Sequence, residues 1–210
     1  MSHNEPEGGL WDRLLIRELV DNWMIWRDAR RWDRIESLWH EGGMMMTTWG
    51  GHSTPAEFAL AAQQGFDRGD RMMHSNGGTT VDVVGNRAVA ETKLRIMQRG
   101  VLHGVQCDVT CIGRDYDFCE KRGGRWGFVL RQPIYERDFI EPVDPSQTIE
   151  LDAARLARFP EGYARLAYLQ ETLGYGIITT MPVHTGPELE ALYAQGAAWL
   201  AGEDLCWPPA

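Results

Sequence analysis

Three residues of this 210-residue chain have a type and a setting suited to proton transfer: Asp28, His74 and Arg131. A neutral histidine can take a proton from carbon or hydroxyl, and a carboxylate on its other ring nitrogen holds the tautomer and stabilises the imidazolium. An arginine adds a fixed charge for a leaving group or an oxyanion. Each also has a plain structural reading. Asp28, in Trp26-Arg27-Asp28-Ala29-Arg30-Arg31-Trp32, could pair with Arg30 or Arg31 or cap the next helix. His74 could be a rim histidine. Arg131 stands in the otherwise apolar Phe128-Val129-Leu130-Arg131-Gln132-Pro133-Ile134-Tyr135, so it points outward or meets a carboxylate or ligand. Asp108, Asp115 and Tyr116 form a second tier. Asp108 is read equally as a solvated residue of the outer face or a pocket residue, and His40 and His103 as structural. Phosphate-binding loops, nucleotide fingerprints, G-x-S-x-G and H-E-x-x-H are absent from the sequence.

The elements that must position these groups are legible from periodicity. Trp11, Leu15, Leu19, Trp23 and Trp26 recur at helical spacing over 10–27, and a second helix is predicted over 32–40, stopped by Gly42-Gly43. Met44 to Trp49 reads as a first strand. Thr54-Pro55-Ala56-Glu57 opens a third helix with an N-cap, a first-turn proline and a capping glutamate. From Thr79 the period becomes two. Thr79–Val84 and Arg87–Gln98 flank a Gly85-Asn86 turn, Val101–Phe118 reads as one long strand, and 121–125 turns into Trp126–Phe139. Helices followed by long antiparallel strands predict an α+β domain. After Glu141-Pro142-Val143-Asp144-Pro145 come three helix-like segments, 151–158, 161–173 and 186–201, too small to hold a core alone. The predicted organisation is a flexible leader over 1–9, a domain over 10–140, and an extension over 141–210 that packs on this domain or on a neighbouring subunit.

Lys+Arg 21 against Asp+Glu 30 gives a net charge of −9, which argues against electrostatic capture of nucleic acid or an anionic membrane. No run approaches the ~18 apolar residues of a membrane span, and the polar, acidic start is unlike a signal peptide, so the expected location is the cytoplasm. Cys107 and Cys111 lie ~13 Å apart along one strand and cannot bridge, and neither Cys119 nor Cys206 completes a C-x-x-C pair; no metal site is expected. Nine tryptophans and nine methionines suit the walls of a pocket for a flat apolar ligand, or a core.

In order and spacing, Trp23…Asp28…Trp32, Leu38-Trp39-His40, the Pro-started helix, His74 ahead of a Gly85-Asn86-Arg87-Ala88 hairpin and the closing Arg125-Trp126-Gly127-Phe128 strand resemble the NTF2-like/SnoaL-like superfamily over residues ~10–140. The resemblance implies a cone-shaped curved antiparallel sheet with N-terminal helices around a deep apolar pocket. It also implies lyase chemistry without metal or organic cofactor, as in the scytalone dehydratase, hexachlorocyclohexane dehydrochlorinase and bile-acid dehydratase branches. Asp28 and His74, 46 residues apart, match the Asp–His dyad of such enzymes, and Arg131 their last-strand arginine. Trp23, Trp26, Trp49, Gln98, Asp108, Tyr116 and Tyr135 are the expected substrate-binding set. A second histidine on the strand after the hairpin, present in scytalone dehydratase, falls near Gln98, and the helix tyrosine of many members is Trp23, so scytalone itself is a doubtful substrate. The expected activity is elimination of water, halide or a one-carbon fragment from an aromatic or alicyclic small molecule, as in aromatic catabolism. The alternatives are an isomerase or cyclase on the same dyad, or a non-catalytic scaffold or binding subunit. Such proteins often assemble through a C-terminal segment, which implies a homo-oligomer, a trimer ahead of a dimer.

Overall fold

The computed structural model describes residues 9–205. The leader expected over 1–9 therefore falls almost wholly outside the described residues, as does Cys206, and Gly9 already opens the first helix. The described elements are α1 (Gly9–Asp28), α2 (Trp32–Ile35) with a 3-10 turn (Glu36–Leu38), β1 (Trp39–Thr47), β2 (Gly51–Ser53), α3 (Pro55–Arg68), β3 (Arg71–Val84), β4 (Arg87–Leu102), β5 (Val105–Arg122) and β6 (Arg125–Pro142). A tail follows: α4 (Ala153–Leu156), a 3-10 turn (Glu161–Tyr163), α5 (Ala164–Thr172) and α6 (Pro187–Leu200). No described helix is long and apolar enough to cross a membrane.

The strands form one curved, open sheet in the order β2-β1-β6-β5-β4-β3. β3 to β6 are antiparallel neighbours, whereas β1 pairs parallel with β6, so the sheet is mixed rather than wholly antiparallel. Two sequence expectations shift here. The second helix ends before Gly42-Gly43, because β1 starts at Trp39 and Gly42 (φ 79°) sits in a bulge between Trp39 and Met44. The predicted continuous strand from Val101 is broken by a two-residue turn at His103-Gly104, both at positive φ (50° and 83°), as the tightest hairpins require. His74 lies inside β3, which begins at Arg71, and it pairs with Ile96 of β4.

The two-residue period decides which side chains share a face. His74 (β3), Ile96 (β4), Asp115 and Asp117 (β5) and Arg131 and Tyr135 (β6) look toward the main core, closed by α1, α3 and the tail. Tyr116, Phe118, Leu130 and Ile134 alternate to the other side, where Leu189, Leu192 and Trp199 of α6 cover them. α1 buries Ile16, Val20, Trp23, Met24 and Arg27. This stripe is rotated from the expected one: Trp11 is 72 % exposed, and Trp26 is half-buried with the Arg34 guanidinium 5.5 Å from its ring. α3 starts on the expected capping box, with the Glu57 N–H donating to Thr54 Oγ1 at 3.2 Å and the Thr54 N–H donating to Glu57 Oε2 at 2.8 Å.

The tail packs on its own domain. Tyr163, Leu166, Tyr168 and Leu169 are fully buried in the main core. Asp138 of β6 accepts from the backbone N–H of Arg165 (2.5 Å) and Leu166 (2.8 Å), anchoring the start of α5. Gly162 packs against the Tyr135 carbonyl so closely that any Cβ there would clash with it.

Candidate active site

Asp28 ends α1 and His74 sits in β3, and the packing of that helix on that strand brings them together. His74 Nδ1 donates to Asp28 Oδ1 at 2.9 Å, and the His74 backbone N–H donates to Asp28 Oδ2 at 2.6 Å. Arg27 Nη1 donates to the same Oδ1 at 3.2 Å. With Nδ1 so engaged, Nε2 is the ring nitrogen left to the cavity that His74 lines. Burial, and then the Arg27 charge, drive the His74 pKa down to about 4, overriding the pull of Asp28 in the other direction. The Asp28 carboxyl feels burial pushing its pKa up, but the His74 hydrogen bonds and the Arg27 charge leave it below its ordinary value. At neutral pH the pair is therefore a neutral imidazole on an ionised carboxylate, with a free basic nitrogen.

The cavity is narrow, with about 40 Å³ of free space, room for a few waters. Its walls are largely apolar, built from Trp23, Trp49, Phe58, Leu94, Ile96 and Pro133, and lined with Met45, Met46 and Met72, unbranched side chains that can change rotamer. The tail contributes Leu166 and Gln170. Gln170 Oε1 accepts from Thr48 Oγ1 at 2.7 Å, and its Nε2 donates to Gln98 Oε1 at 3.2 Å.

Arg131 is 1 % exposed, and its charge is met by Asp117, to which Nε and Nη2 donate at 2.7 and 2.8 Å. Its guanidinium carbon lies 4.4 Å from the centre of the Trp23 ring. Nη1 has no hydrogen-bond partner and lies 3.8 Å from Asp115 Oδ2, also without one, and both residues line the cavity.

Of the expected set, His74, Arg131, Trp23, Trp49 and Tyr135 line this cavity, with Asp28 directly behind His74. Gln98 stands behind the wall through Gln170. Three expectations are corrected. Asp108 lies outside the cavity, where Arg99 Nε and Nη2 hold it at 2.8 and 2.7 Å. Tyr116 alternates to the opposite face and packs on Tyr193, with ring centres 5.3 Å apart. Trp26 falls off the buried stripe of α1. His40 bonds the Glu120 carbonyl (2.9 Å) and His103 the Tyr168 hydroxyl (2.8 Å), away from the cavity. Arg27 and Asp117 were not expected. Arg27 continues the Val20–Trp23 stripe by one more turn, and Asp117 repeats Asp115 at a spacing of two, which are the signals that point to them.

Residues 9–132 match the family model described as the SnoaL-like domain. The chain belongs to the SnoaL-like family. The match stops short of the tail, but relatives carry the likeness further. A PEP2-like protein of Fusarium vanettenii is 38% identical over 97% of this chain and 91% of its own length. Pea pathogenicity protein 2 of the same fungus is 35% identical with the same coverage. Among solved structures, this SnoaL-like chain is similar to a hexachlorocyclohexane dehydrochlorinase (TM-score 0.54, 16% identity, 69% of this chain and 95% of that one). It is also similar to a putative scytalone dehydratase from Novosphingobium aromaticivorans (TM-score 0.51, 17% identity, 68% and 97%). At those identities the likeness concerns the fold alone.

Proposed function

We propose that this SnoaL-like protein is a cofactor-independent lyase that removes a proton and a leaving group from an apolar aromatic or alicyclic molecule. The observation that carries the reading is the 2.9 Å bond from His74 Nδ1 to Asp28, which leaves the other nitrogen of a buried neutral imidazole on an apolar cavity. His74 Nε2 takes the proton, Asp28 stabilises the imidazolium that forms, and Arg131 Nη1 faces the charge that develops on the substrate. Trp23 and Trp49 offer flat apolar surfaces, and admitting a ring requires the methionine wall to move.

The test is elimination from a panel of cyclic β-chloro and β-hydroxy ketones, followed through the absorbance of the enone. The wild type eliminates and His74→Gln does not, and a chelator changes neither result. Turnover retained in His74→Gln, or turnover lost to a chelator and restored by zinc, overturns the reading.

A further inference from the structure

Resting on that reading, we propose that Asp115 is the general acid of the same reaction, protonating an oxygen leaving group as it departs. The argument starts from a charge count. One guanidinium, Arg131, sits between two buried carboxyl groups on the same face of β5. Asp117 takes two of its N–H groups in a forked pair and so matches its charge. Asp115 is left over. Its Oδ2 is buried without a hydrogen bond, and 3.8 Å is too long for one from Arg131 Nη1.

A buried carboxylate with no donor on one oxygen is costly, whereas a protonated carboxyl there is a donor waiting for an acceptor. The groups facing Asp115 are Asp117 on its own strand, Arg131 and Tyr135 from β6, and, across the cavity, His74 of β3 and Arg27 of α1; α5 adds only the uncharged Leu166 and Gln170. Burial pushes the Asp115 pKa up, Arg131 pulls it down, Asp117 pushes it up again, and the outcome lies above the ordinary carboxyl value. Two groups without a hydrogen-bond partner, Asp115 Oδ2, which donates when protonated, and Arg131 Nη1, thus border one cavity with the His74 base. An oxygen with two lone pairs can accept from both. Halide leaves without a proton and needs no acid, whereas hydroxide is a poor leaving group until it is protonated.

For a β-hydroxy ketone the step balances. His74 Nε2 removes the proton from the carbon beside the carbonyl, and the C–H electron pair becomes the new C=C bond. The C–O bond breaks with its pair on oxygen, and Asp115 supplies the proton that makes it water. Transfer of one proton from the His74 imidazolium to the Asp115 carboxylate, through water, resets the site.

The experiment compares β-hydroxycyclohexanone with β-chlorocyclohexanone in wild type, Asp115→Asn and His74→Gln, alongside infrared spectra of the free proteins. Asp115→Asn is expected to lower the ratio of hydroxy to chloro turnover by a factor of about 10² to 10³, and to abolish the alkaline limb of the kcat/KM profile for the hydroxy compound. The wild type at pH 5, below the Asp115 pKa of about 6, is expected to show the carbonyl stretch of a protonated carboxyl that Asp115→Asn lacks. A merely structural Asp115 lowers both turnovers alike, and that result, an unchanged ratio, or an absent infrared band overturns the proposal. Elimination of both compounds by His74→Gln refutes the base instead, so the two readings fail separately.

Discussion

His74 offers a sharp test, because a neutral imidazole and an imidazolium–carboxylate pair make opposite predictions about stability against pH. Its pKa is about 4 in the folded chain, against an ordinary value of 6.5. Between those values the unfolded chain binds more protons than the folded one, so stability rises with pH, is complete above about pH 6.5 and is lost below about pH 4. Taken at 1.36 kcal/mol per pH unit, the effect amounts to about 3 kcal/mol. Other buried groups act in the same range. Asp115 and Asp138 have raised pKa values, so the stability they confer falls as pH rises above the ordinary carboxyl value. The perturbation is therefore His74→Gln, and the quantity is the difference in unfolding free energy between wild type and variant, in which those shared contributions largely cancel. Urea unfolding at pH steps from 4 to 8 should show this difference growing by about 3 kcal/mol in favour of the wild type and levelling near pH 7. A flat difference, or one that shrinks as pH rises, refutes the neutral dyad, since an ion pair would make the wild type relatively more stable in acid.

Asp28→Asn, which keeps the shape but loses the charge, should lower kcat/KM by about 10³-fold, or ~4 kcal/mol of barrier, in steady-state kinetics, with the fold retained by circular dichroism. Arg131→Gln strands Asp117, wholly buried, without its cation, and should cost about 3–5 kcal/mol in denaturant unfolding. Truncation after Val143 removes Leu166 and Gln170 from the cavity and uncovers the core beneath Tyr163 and Leu169, so the truncated chain should fail to unfold cooperatively. Light scattering on the full chain should give a homo-oligomeric mass, with a trimer expected ahead of a dimer, and a monomer mass counts against that assembly.

The parts of this protein set by local physics were readable from the chain. The capping box at Thr54, the Gly85-Asn86 hairpin and the change of period after the helices follow from neighbours within a few residues of one another. Asp28 and His74, and the bond between them, were legible by resemblance, as two positions in a known order of elements; periodicity alone does not give that bond, since it joins residues 46 apart across a helix–strand contact. The error over Tyr116, the second-tier place of Asp115 and the omission of Asp117 have one origin. Alternation along β5 separates Tyr116 from the two aspartates, but only the placing of α6 on one side and the cavity on the other says which set is inside. The rotated stripe of α1 is similar, because helical spacing offered two adjoining apolar faces and the sheet selected the one that carries Arg27. The tail is the clearest case. Its helices were evident from spacing, but that Gln170 would reach Thr48 and Gln98 and close the cavity of its own domain depended on contacts 122 and 72 residues away, which no local pattern records.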